Sequence, residues 1–194
     1  MPLEIKNLTK SFDGKILFEG LSYTFQNVGI YALVGRSGVG KTTLLSMIAG
    51  LDRDYSGSIS FDEGARVSLA FQEHRHFPQL TALENVVFAI SDRKDEAIIK
   101  KCKEMLIKAG LSEADLSLLP EALSGGMRQR VSLVRALMFS SEILLLDEPT
   151  KELDKENAGL VRRLILEAAK TRLVIISTHS NEDIDFLRPK LINL

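Results

Sequence analysis

The chain has 194 residues, 45% of them hydrophobic, which is enough for one full core and too many for a disordered chain. Its 25 basic and 26 acidic residues leave a net charge of −1, so it offers DNA or RNA no electrostatic footprint, and no nucleic-acid partner is expected. Cys102 is alone, residues 1–6 carry no basic and apolar leader, and the apolar run Ile143-Leu144-Leu145-Leu146 is too short for a bilayer, which together point to a cytosolic protein without disulfides.

Residues 3–9 alternate as a strand, residues 21–25 read as another, and Asp13-Gly14-Lys15 is the turn expected between strands. The apolar run at 29–34 predicts a buried strand, and residues 43–49 predict a helix. Short strands are expected at 58–61 and 67–71, bounded by Gly57 and Gly64. Thr81 and Glu84 form a capping box that opens a helix. A polar gap at 91–95 leads to a second helix, which runs to about Ala109 and stops at Gly110. There Cys102 shares an apolar stripe with Ile98, Met105, Leu106 and Ala109, the setting of a small core residue. Residues 124–138 hold a third helix. Near-continuous apolar strands follow at 142–147 and 173–177, separated by a helix with Leu160, Val161, Leu164, Ile165, Ala168 and Ala169 on one face. Apolar strands alternating with helices imply an α/β fold with a mostly parallel sheet covered on both sides. The pattern predicts one domain over 1–194. Residues 1–76 and 141–194 would form the core with an N-terminal antiparallel β part, and about 77–140 an inserted helical subdomain.

Between the 29–34 strand and its helix stands Gly35-Arg36-Ser37-Gly38-Val39-Gly40-Lys41-Thr42, followed by Thr43. This is the spacing of a phosphate-binding loop. Gly35, Gly38 and Gly40 let the backbone approach an anion, and successive amides then point inward at the positive end of a helix. Lys41 supplies a cation for β- and γ-phosphates, and the Thr42 hydroxyl suits Mg²⁺. A second signal is the run that ends in Asp147-Glu148. A buried parallel strand presents these carboxylates at its C-terminal end, where open α/β sheets bind ligands. Asp147 is suited to hold Mg²⁺ through water, and Glu148 to orient or deprotonate an attacking water. His179 follows the apolar run 174–176 and falls on the same edge. Ser124-Gly125-Gly126 opens a helix as a second anion-binding nest with a hydroxyl.

With Leu123-Ser124-Gly125-Gly126-Met127-Arg128-Gln129-Arg130, the ordered set resembles the ATP-binding cassette (ABC) ATPases, a P-loop NTPase family. The resemblance covers the whole chain. It implies that Gln72 is the Q-loop glutamine, Asp147 and Glu148 the Walker B pair, Asp154 the D-loop aspartate, His179 the switch histidine and Phe12 the ring that stacks on adenine. The family's cofactors are ATP and Mg²⁺. By this resemblance two copies, or one copy and a homologous cassette, pair head to tail. Ser124, Gly125, Gly126 and Asp154 of one then meet the ATP on the loop of the other. Thr42, Asp147 and Gln72 would position Mg²⁺, while Glu148, His179, Lys41 and Gln72 would serve hydrolysis. The resemblance further implies a membrane permease partner, a solute-binding protein in an importer, and a place on the inner face of the membrane.

His74 and His76, in Glu73-His74-Arg75-His76-Phe77, follow Gln72 at i, i+2 spacing. On an extended segment they point to opposite faces, which argues against a shared metal. The segment reads either as a solvated loop or as a partner surface, and in the family this neighbourhood receives a helix of the membrane subunit. Met127 stands where glutamine is usual, and this variant is similar to the nitrate, sulfonate and taurine uptake group. Lys151-Glu152 replaces a small Ser-Ala pair in the D-loop, and Phe12 replaces the more common tyrosine. The end of the chain soon after His179 suggests a minimal catalytic cassette. The alternatives are a soluble ABC ATPase outside transport, which usually carries coiled coils or basic arms, and an ATP-switch regulator with little turnover.

Overall fold

The computed structural model describes residues 3–12, 14–90 and 95–194. β1 (Glu4–Phe12) and β2 (Lys15–Thr24) pair antiparallel from Phe12–Lys15 outward. Gly14 takes φ 79° in the connection; Asp13, the first residue of the expected turn, lies outside the described residues. β3 (Gly29–Val34) leads through the glycine-rich loop to α1 (Lys41–Ile48). β4 (Ser56–Ser60) adds to the other side of β1, giving an antiparallel sheet of order β2-β1-β4. β5 (Val67–Ala70) begins the crossover into the helices α2 (Ala82–Phe88), α3 (Glu96–Lys108) and α4 (Gly125–Met138). The chain then forms β6 (Ile143–Asp147), α5 (Lys155–Ala168), β7 (Leu173–Ser177), α6 (Asn181–Leu187) and β8 (Lys190–Asn193). The five strands β5-β6-β7-β3-β8 are all parallel.

The period-two pleat explains how one sheet serves two cores. Ile143 and Leu145 of β6, with Leu173 and Ile175 of β7, face α1 and the antiparallel sheet. Leu144, Leu146, Val174 and Ile176 point the other way, toward Val161 and Ile165 of α5. Each side chain so buried contributes about 1.5–3 kcal/mol relative to exposure. A third cluster joins α2, α3 and α4 through Val86, Cys102, Leu106, Val131 and Val134. Cys102 is fully buried there. The Thr81–Glu84 capping box is formed: the Thr81 hydroxyl accepts from the Glu84 amide and the Glu84 carboxylate accepts from the Thr81 amide. Residues 91–94 of the polar gap lie outside the described residues.

Two features differ from the expectations. β2 starts at Lys15 rather than at 21, because its first residues keep the ladder through register shifts opposite β1 while leaving Ile16 exposed. The pair α6 and β8 has no counterpart in the sequence pattern. Both are short, and β8 buries a single residue. Tertiary pairing with β3 makes β8 a strand where its own sequence is too short to announce one.

Because the strands run parallel, the ends of β3, β5, β6 and β7 emerge on one edge. That edge carries Gly35, Gln72, Asp147, Glu148 and His179.

Candidate functional site

The loop between β3 and α1 needs glycine at two points. At Gly35 a Cβ would lie 2.9 Å from the Leu194 carbonyl oxygen; at Gly40, with φ 108°, it would lie 2.6 Å from the Phe18 ring. No side chain caps α1, and its first turn holds no acidic residue. Its orphan amides and dipole are therefore left for an external anion. Lys41 is buried and donates to the carbonyls of Gly35 (3.0 Å) and Arg36 (3.1 Å). Burial lowers its pKa, against the raising influence of Glu148 and Asp147. Arg36, Ser37 and Gly38 form the exposed rim of the loop, and the Val39 amide closes it onto the Arg36 carbonyl at 3.3 Å.

A cleft of about 270 Å³ opens over this loop. Its wall brings together Phe12, Ser37, Gly38, Gly40, Lys41, Thr42, Thr43, Gln72, Glu148 and His179. Phe12 is 48% exposed at the rim, with the Lys10 ammonium 4.6 Å from its ring. Asp147 lies below, buried: the Thr42 hydroxyl donates to its Oδ2 at 2.7 Å and the Ser177 hydroxyl donates to its Oδ1. Glu148 stands beside it in the left-handed region, φ 48°, a conformation that side chains enter at a cost and that clusters at functional sites. Its amide donates to the Ser177 carbonyl and hydroxyl, which fixes the backbone. Its carboxylate meets His179 Nε2 at 3.2 Å and Lys151 Nζ at 3.0 Å.

Ser124, Gly125, Gly126 and Asp154 do not line this cleft. Ser124 caps α4, its hydroxyl oxygen accepting from the Met127 amide at 3.2 Å. Asp154 caps α5, accepting from the Asn157 amide (2.9 Å) and side chain (2.6 Å). The Asn157 amide, and then its side chain, hold the Asp154 carboxyl below its usual range.

The two histidines correct an expectation. His74 and His76 do not point to opposite faces: their rings stack with centroids 6.0 Å apart. The segment is not an extended strand, so the period-two argument fails there. Contacts with α4 tie it down. Ser132 Oγ and His76 Nε2 lie 3.1 Å apart, and Arg135 donates to the Arg75 carbonyl at 2.7 Å. His74 reaches Glu152 at 3.3 Å. Burial, followed by the nearby Arg135 charge, lowers the His76 pKa to about 4.

Two residues given no role by the sequence frame the site. Asp183, 0% exposed, accepts from the hydroxyls of Thr150 and Thr178 and from Arg162 Nε, each at 2.7 Å. It thereby locks the residues that follow Glu148 and precede His179. Gln129, buried on α4, donates to the Glu148 carbonyl at 3.2 Å. Their signal was a charge or amide at a helical position otherwise facing the core, visible only once the packing is known.

Comparison with known proteins gives one answer. The family model described as ABC transporter matches residues 18–151. The chain is 34% identical over 192 residues to the aliphatic sulfonates import ATP-binding protein SsuB 1 of Pseudomonas syringae pv. syringae, covering 98% of this chain and 79% of that one. It is 40% identical over 203 residues to the sulfate/thiosulfate import ATP-binding protein CysA of Bradyrhizobium diazoefficiens, covering 94% of this chain and 58% of that one. Among solved structures, an ATP-binding cassette determined as a dimer in a post-hydrolysis state, bound to ADP and Pi, superposes with a TM-score of 0.85. That match has 28% identity and covers 99% and 94% of the two chains. The chain therefore belongs to the ABC transporter family, as an ATP-hydrolysing cassette.

Proposed function

We propose that this cassette powers a membrane importer by closing on a second copy, head to tail, around ATP. The observation that carries the reading is the separation of two anion-binding helix starts. The loop at 35–42 is uncapped and holds a lysine; the start at Ser124-Gly125-Gly126 lies outside the nucleotide cleft. Two such surfaces on one chain make sense if the second serves the γ-phosphate held by a partner's loop. The Ser124 hydroxyl uses an oxygen lone pair for its own helix, which leaves its proton to donate. Asp154 is held at the same face by Asn157.

Within the cleft, Lys41 and the loop amides neutralise phosphate charge and Phe12 stacks on the base. Glu148 accepts the proton of the attacking water, and His179, bonded to the same carboxylate, orients it. The Thr42 hydroxyl and Asp147 carboxylate, 2.7 Å apart, are a pair of hard oxygen donors at the phosphate end. With Gln72 they would hold Mg²⁺, which supplies charge neutralisation when bound.

The coupling surface is the groove of Glu73, His74, His76, Pro78, Pro120 and Glu121 beside Gln72. A permease segment seated there senses cleft closure. Among the described residues no helix is long and apolar enough to cross a membrane, which suits a subunit docked at the inner face of the membrane. The relatives' import names support the direction, with a solute-binding protein outside. The transported compound is chosen by those partners.

Glu148→Gln keeps the shape and removes the base. Hydrolysis should fall by about 10²- to 10⁴-fold while Mg-ATP still drives pairing, read by phosphate release and analytical ultracentrifugation. Unchanged turnover removes Glu148 from its role, and failure to pair under saturating Mg-ATP refutes the head-to-tail reading.

A further inference from the structure

The two charged D-loop residues each hold a different part of the proposed machinery. Lys151 Nζ lies 3.0 Å from Glu148 Oε2, and His179 Nε2 lies 3.2 Å from Oε1 of that carboxylate. Both oxygens of a group only 13% exposed are thus engaged. An ammonium on one oxygen occupies one of its lone pairs and part of the space through which a water would approach to give up its proton.

Glu152 reaches the other way. Its Oε2 stands 3.3 Å from His74 Nε2, and a Cβ on Gly125 would lie 2.7 Å from that same oxygen. The Glu152 carbonyl oxygen stands 3.2 Å from the corresponding position on Gly126. The carboxylate therefore lies over the first turn of α4, where amide donors and the helix dipole favour a negative charge. A phosphate arriving there would meet a like charge already in place.

We propose that Lys151 and Glu152 are positioning residues for hydrolysis. In the free subunit they hold the base and cover the serine-glycine start, and pairing on ATP has to break both contacts. The proposal rests on the reading of Glu148 and the α4 start given above. Both side chains are about half exposed, 49% for Lys151 and 51% for Glu152. With one partner of each pair in contact with solvent, nucleotide binding can displace it. The clasp slows the idle subunit without locking it.

Each half has its own readout. In the full chain, Lys151→Ser should raise kcat by about two- to fivefold with KM unchanged, and Lys151→Arg should restore the parent rate. In the Glu148→Gln background, Glu152→Ala should lower the ATP concentration at half-maximal pairing by about two- to fivefold. Lys151→Ser should not move that midpoint, since its charged partner is gone. An unchanged or lower kcat in Lys151→Ser, or an unmoved midpoint in Glu152→Ala, overturns the clasp while pairing itself stands. If the Glu148→Gln chain never pairs with or without Glu152, the head-to-tail reading falls and the clasp with it.

Discussion

The loop before α1 and the turn before α4 both bring glycines to a helix start, yet they are built differently. In the first, Gly38 and Gly40 take left-handed angles, the helix has no side-chain cap and a buried lysine waits inside. In the second, Gly125 and Gly126 already belong to the helix, Ser124 caps it, and Glu152, with Leu153 at Gly126, lies against both glycines. The first has the features the proposed phosphate cradle needs: uncapped amides and a buried lysine. The second is a capped helix start whose nearby cation, Arg130, is spent on backbone carbonyls and Asn157, and beside which the Glu152 carboxylate lies. Glycine is thus demanded at the first site by backbone angle and by tight packing against Leu17, Phe18 and Leu194, whereas at the second it leaves room for a flexible carboxylate and the Glu152 carbonyl.

The sharpest break of this contrast lies behind the first cradle. Asp183→Ala takes away the buried partner of Arg162, leaving it only the exposed Glu182, and frees Thr150 and Thr178. It should cost about 3–5 kcal/mol of unfolding free energy in urea and also weaken hydrolysis. The α4 start has a buried charge of its own, Arg130, but its donors go to the Gly126, Ala109 and Gly110 carbonyls and the Asn157 amide oxygen rather than to a buried carboxylate.

A paired substitution tests the glycines themselves. Gly40→Ala sets a Cβ against Phe18 and Leu17 at an unfavourable φ and should cost about 1–3 kcal/mol, with loss of nucleotide affinity by calorimetry. Gly125→Ala meets only the mobile end of Glu152. Its stability should stay within about 1 kcal/mol of the parent, helix propensity favouring alanine, while ATP-driven pairing weakens. Equal destabilisation by the two would erase the distinction.

The smallest effect is a pH dependence beside the second site. The unfolded chain binds the His76 proton near pH 6.5, the folded chain only near about 4. Between those values the unfolded state holds more protons, so stability falls as pH drops through the window and the loss is complete below it. After allowance for solvent screening this amounts to about 1–2 kcal/mol. His76→Gln should flatten urea stability over that range.

Local sequence is enough to write the strand–loop–helix at 29–49, the apolar strand ending in Asp147-Glu148, the capped helices at Thr81 and Ser124 and the histidine past β7. Each is a local code, written in a few adjacent residues by glycine conformation, capping chemistry and apolar period. Tertiary structure alone decided the rest. It made β8 a strand by pairing it with β3, buried Gln129 against the Glu148 carbonyl and Asp183 against Thr150 and Thr178, and stacked two histidines that an extended chain would have parted. It also brought Lys151 to Glu148 and Glu152 to Gly125. Those contacts join residues distant in sequence or bend the chain off its regular period. The energies that favour them come from burial and pairing, which exist only after the elements have packed.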